Sequence, residues 1–123
     1  MTTSAPRNRS GNPIPHSGTV RIQLVHGFGL LPVGMVLGQR RIDRLWGPFD
    51  PMADDGRQEA RAILHSEVDT DSRLPFLEGR AIRAYHEVAE EDVVWPVGVG
   101  NGRVRWDAIT ALDRAGIVLV PAP

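Results

Sequence analysis

The sequence predicts a small α+β domain: a mixed sheet built from β-hairpins, two or three short helices, and an extended N-terminal arm. Three observations lead there. The chain has 123 residues, 41% hydrophobic and 24% charged, which suits one modest folded domain. Thirteen glycines and ten prolines cut it into short runs joined by turns. Those runs then alternate between two periods. Val20, Ile22 and Leu24 repeat every second residue, whereas Leu74, Leu77, Ala81, Ile82, Tyr85 and Val88 fall at helical spacing.

Residues 1–18 hold three prolines, two glycines and three serines, with Ile14 the one apolar side chain able to anchor them. Such a segment buries too little to offset its ordering entropy, so an extended or disordered arm is expected, with the domain spanning 19–123. Thr19 to Val25 reads as a half-buried strand. "HGFGLLPVG" turns the chain, and "VGMVLG" follows as the hairpin partner. "RLWGPFDPMADDG" carries two prolines and two glycines and reads as a loop. "GRQEARAILHS" is expected to be helical, with Asp54 or Asp55 as cap and Ala60, Ile63 and Leu64 on one side. "DSRLPFLEGRAIRAYHEVAEE" is read as a second helix with Pro75 in its first turn, although Gly79 weakens it. The strand alternative for "AIRAYHEV" would put Ile82, Ala84, His86 and Val88 on one face. Gly100-Asn101-Gly102 marks a hairpin turn. "WDAITALDRAG" then gives a short helix capped by Asp107 and stopped by Gly116, and "IVLVP" a closing strand.

The same residues exclude most chemistry. "RIQLVHGFG" resembles the strand and oxyanion-hole turn of an α/β-hydrolase. None of Ser4, Ser10, Ser17, Ser66 or Ser72 stands in a Gly-x-Ser-x-Gly elbow, and no histidine follows His86. The chain has no cysteine, which removes disulfides, thiolate catalysis and cysteine-based zinc sites. His16, His26, His65 and His86 lack metal-ligand spacing, and Glu90 stands where "HEVAE" would need its second histidine. In "DTDSRLPFLEGR" Arg73 and Arg80 occupy calcium-ligand positions and would repel the ion. Arg40, Arg41 and Arg44 form a basic run, but Asp43, Asp50, Asp54 and Asp55 offset it, so nucleic acid is not an expected partner. With a net charge of −1 and no long apolar span, no membrane is expected either. The N-terminus lacks a hydrophobic signal core. No catalytic residue, cofactor or metal is assigned.

What remains unusual is apolar material in loops. Phe28, Leu30 and Leu31 sit in one, and Trp46, Phe49 and Met52 in another. Aromatic and methionine side chains rimmed by arginine have interface composition, and all fourteen basic residues here are arginine. These six, with Arg7, Arg9 and Ile14 of the arm, form the candidate partner-binding set. The alternative for both loops is that they fold back as core.

Two stretches carry a family resemblance: "LLPVGMVLG", with Pro32 and Gly34, and "WDAITALDRAGIVLV", with Ala115 and Gly116. The arrangement is similar to small virion proteins of tailed bacteriophages and gene-transfer-agent-like particles, of head decoration or head–tail accessory type. The resemblance implies a non-enzymatic protein present in many copies in the virion. Its partners would be capsid or connector subunits, and its assembly would take place in the bacterial host cytoplasm. The competing expectation is a small regulatory or ligand-binding domain of a bacterial host.

Overall fold

The computed structural model describes residues 19–82, 86–100 and 102–121. Its strands are β1 (Thr19–Leu24), β2 (Leu30–Leu31), β3 (Val36–Gln39), β4 (Trp46–Pro48), β5 (Ala62–Leu64), β6 (Val68–Asp69), β7 (Leu77–Ile82), β8 (His86–Ala89) and β9 (Ile117–Val120). A 3-10 turn covers Glu90–Asp92, and α1 spans Arg103–Arg114. The architecture is mostly β, within the broad α+β class, with one α-helix among the described residues rather than two or three.

Five strands close a barrel in the order β1-β4-β3-β5-β7. Closure comes from β1 and β7, antiparallel from Thr19↔Ile82 to Leu24↔Leu77. The expected hairpin between β1 and β3 does not form; β4 lies between them, parallel to β1 and antiparallel to β3. Closing the sheet leaves its barrel strands without an open edge. A barrel this narrow is filled by side chains. Its core holds Ile22, Leu24, Leu37, Trp46, Ala62, Leu64, Leu77 and Ala81.

A second core forms where Val36, Ile63 and Ile82 meet Val88, Val93, Ala108, Leu112 and Ile117. Residues adjacent in sequence therefore divide between two cores: Val36 from Leu37, Ile63 from Ala62 and Leu64, Ile82 from Ala81. Side chains on a strand alternate faces, so β3, β5 and β7 are covered on both.

This corrects the two expected helices. In 56–66 the unbroken run Ala62-Ile63-Leu64 is a strand buried on both faces, and such a strand loses the alternation that would reveal it. In 74–90 the chain forms β7 and β8, and residues 83–85 lie outside the described set. Gly79 has a packing reason. A Cβ there would stand 2.9 Å from Val68 Cγ2 and 3.0 Å from Leu24 Cδ1.

The hairpin expected at Gly100-Gly102 is also replaced. Arg103 to Trp106 open α1, with Gly102 as its N-cap, and Asp107 lies inside the helix. Gly116 ends it as expected, at φ 92 with its N–H donating to the Asp113 carbonyl at 3.0 Å. The returning strand β9 pairs in parallel with β8, from His86↔Ile117 to Ala89↔Val120.

Candidate functional site

The hydrolase-like turn has a structural purpose. Beyond β1 the Val25 N–H donates to the Trp46 carbonyl, and His26-Gly27-Phe28-Gly29 wraps around Thr70. The Gly27 N–H donates to the Thr70 carbonyl at 3.0 Å, and the Phe28 N–H donates to Thr70 Oγ1 at 2.8 Å. Thr70 returns two bonds to the Gly29 carbonyl, from its N–H at 2.9 Å and its hydroxyl at 2.6 Å. Thr70 is fully buried, so each of these bonds satisfies a group that water cannot reach. Gly27 and Gly29 adopt φ 95 and 71, which the tight wrap requires. The Gly27 and Phe28 N–H groups are thus consumed by Thr70, and no oxyanion donor pair is presented.

The wrap binds two loops into one unit. β2 pairs with β6 through Leu30↔Asp69 and Leu31↔Val68. Further along, His26 Nε2–H donates to the Leu74 carbonyl at 2.7 Å. Four apolar side chains on this loop pair face solvent: Phe28 39%, Leu30 60%, Leu74 62% and Phe76 71% exposed. The Arg57 guanidinium lies over the Phe28 ring at 5.0 Å from its centroid, which fixes the ring from one side. These four are large apolar side chains held in water on hydrogen-bonded loops.

The sequence-predicted residues divide accordingly. Phe28 and Leu30 belong to this surface, and Met52 is exposed on the 50–57 loop. Leu31, Trp46 and Phe49 are core residues, against the expectation that they stand on open loops. The physical reason is that "RLWGPFDPM" contains β4, which carries Trp46 into the barrel and Phe49 to the second core. Arg7, Arg9 and Ile14 lie outside the described residues. Leu74 and Phe76 were missed because helical spacing placed Leu74 on a buried stripe. The signal that could have found them is Pro75, which stands between two large side chains just before the strand that follows.

Two arginines of the neighbouring loops are paired with aspartates. Arg40 binds Asp43, and Arg57 Nε lies 3.1 Å from Asp55 Oδ2. The Arg40 hydrogen bond holds the Asp43 carboxyl below its ordinary range. For Asp55 the Arg57 backbone N–H does so first and its guanidinium second. Among the described residues no group of three His, Cys, Asp or Glu could hold a metal ion. No described helix is long and apolar enough to cross a membrane.

The described residues thus assemble a closed small barrel, a covering helix and an exposed apolar loop pair. Comparison with protein families supplies the class. Residues 16–117 match the family model described as bacteriophage lambda head decoration protein D. The chain belongs to that family, and so to the structural proteins of phage heads. No individual curated protein matches the chain.

Proposed function

We propose that the protein decorates a phage head by gripping shell subunits with the loop pair carrying Phe28, Leu30, Leu74 and Phe76. The arm, residues 1–18 with Arg7, Arg9 and Ile14, adds contact area across a neighbouring subunit. Met52 contributes from the rim. The protein acts without catalysis, joins the head in the host cytoplasm, and takes capsid rather than connector subunits or nucleic acid as partner. The observation that carries this reading is the four exposed apolar side chains on two loops joined through buried Thr70 and the His26–Leu74 bond. Family membership supplies the shell as partner and favours this over a host regulatory domain.

The test is a double variant, Phe28→Ser with Phe76→Ser. Phe76 is 71% exposed and should cost no more than about 0.5 kcal/mol of folding, whereas Phe28, beneath Arg57, should cost about 1 kcal/mol. Losing interface anchors typically costs about 2–4 kcal/mol of binding, a factor of roughly 30 to 1,000. Co-sedimentation with undecorated shells of the encoding phage should therefore fall by at least that lower factor. Unchanged binding by the folded double variant would reject the loop pair as the gripping surface.

A further inference from the structure

We propose that the concavity lined by Arg40, Arg41, Arg44 and Arg61 binds a short acidic protein segment presenting two or more carboxylates. The cavity measures about 390 Å³, and Gln39 completes its lining. No acidic side chain lines it, although acids are plentiful nearby in sequence. Arg40 is paired with Asp43. Among the described residues Arg41, Arg44 and Arg61 form no ion pair, and all three are exposed. Arg41 Nη2 donates to the Asp54 backbone carbonyl at 2.5 Å, which orients its guanidinium without neutralising it. Three unpaired like charges around one hollow repel each other unless an anion joins them.

The backbone beneath is built to hold this arrangement. Arg44 has φ 60 and is the one non-glycine with positive φ among the described residues. An arginine is disfavoured in that conformation, where glycine or asparagine would fit. Four hydrogen bonds keep it there. The Arg44 N–H donates to the Arg40 carbonyl at 2.9 Å, and Gln39 Nε2–H donates to the Arg44 carbonyl at 2.9 Å. The Arg40 N–H donates to the Leu45 carbonyl at 2.8 Å, and the Leu45 N–H to Asp43 Oδ1 at 3.1 Å. A second loop clamps the turn, since the Arg41 N–H donates to the Asp55 carbonyl at 2.8 Å. Strain held by a rigid frame concentrates at functional sites.

Carboxylate is favoured over the phosphates of nucleic acid. Guanidinium groups pair bidentately with carboxylate and phosphate alike, so shape decides, and a compact hollow suits one or two side chains. A phosphodiester track needs an extended basic stripe, whereas Asp43 and Asp54 flank this cluster and the net charge is −1. Exposed Ile42, in the same turn, offers a peptide an apolar contact that a phosphate backbone could not use. The inference concerns residues outside the apolar loop pair, and a failure of shell binding leaves it standing.

The experiment measures fluorescence anisotropy of labelled hexaglutamate and of a short single-stranded DNA with the full chain. Arg44→Gly removes one charge while suiting the local backbone, and Arg61→Gln removes another. Arg114→Gln, at the far end of α1, controls for net charge. Circular dichroism verifies that each variant is folded, and Arg61→Gln alone suffices if Arg44→Gly is not. Hexaglutamate binding should weaken about threefold to fivefold in either site variant, the loss expected of an exposed charge pair, and less than about 1.5-fold in the control. The proposal is overturned if hexaglutamate does not bind at millimolar concentration, or if its binding ignores both site variants. It is equally overturned if the DNA binds more tightly with the same arginine dependence.

Discussion

Trp46→Ala should lower folding stability by about 3–5 kcal/mol, the cost of emptying a buried aromatic site. Trp46 is 3% exposed and sits inside the barrel, where β4 pairs with both β1 and β3. Its carbonyl also accepts the Val25 N–H at 2.8 Å, at the point where the chain leaves the barrel for the loop pair. A cavity there loosens three strands at once. Small domains have a total stability of about 5–15 kcal/mol, so the variant is expected to melt some tens of degrees lower or to be unfolded at ambient temperature. Met52→Ala, at an 89% exposed position in the same stretch of chain, should change stability by no more than about 0.5 kcal/mol. Urea titration followed by the fluorescence of Trp95 and Trp106 reads both. Equal midpoints for the two variants would return Trp46 to the surface.

The second large effect is expected from Gly34→Ala. Gly34 has φ 97, and a Cβ built there would collide with the backbone carbonyl of Asp92. Around it the barrel is tied to the second core. The Gly34 N–H donates to the Leu64 carbonyl at 2.8 Å, and the Val94 N–H donates to the Gly34 carbonyl at 2.7 Å. Met35 and Val94 form a parallel bridge alongside. An alanine therefore carries two penalties, about 1–2 kcal/mol for the left-handed backbone and about 1–3 kcal/mol for the steric overlap. Gly98 separates them, since at φ 95 it has nothing within 4 Å of its Cβ position. Gly98→Ala should show the backbone penalty alone. Equal losses in the two variants would mean that the close approach to Asp92 is relieved at no cost.

The parts of this fold that were legible in the sequence are those governed by local rules. The alternation in β1, the Gly116 helix stop and the final strand follow from residue pattern and backbone preference. The parts that misled are governed by tertiary contacts. Ala62-Ile63-Leu64 mimics a helix because one barrel wall is covered on both sides, which no local window reveals. Trp46 and Phe49 lie among prolines and glycines, yet a strand as short as Trp46–Pro48 suffices to bury both. For the candidate site, Phe28 and Leu30 could be singled out from composition. The loop that carries them is joined to the loop of Leu74 by Thr70 and by the His26–Leu74 bond, contacts across more than forty residues of sequence. The arginine hollow was visible as a run, Arg40, Arg41 and Arg44. That only Arg40 takes an aspartate partner is a property of the turn, and Arg61 enters only through the pairing of β3 with β5.

A loop pair that faces the shell is covered on binding, and a chain without cysteine lets single introduced thiols report it. Single variants Leu30→Cys, Leu74→Cys and Val97→Cys place one thiol each at an exposed position. Maleimide labelling is then timed for the free protein and for the protein bound to undecorated shells of the encoding phage. Thiol modification depends on access, so a covered site should label at least about tenfold more slowly. The predicted result is strong protection at positions 30 and 74 with position 97 unchanged. Labelling at 30 and 74 that stays as fast on the shell as in solution would contradict it.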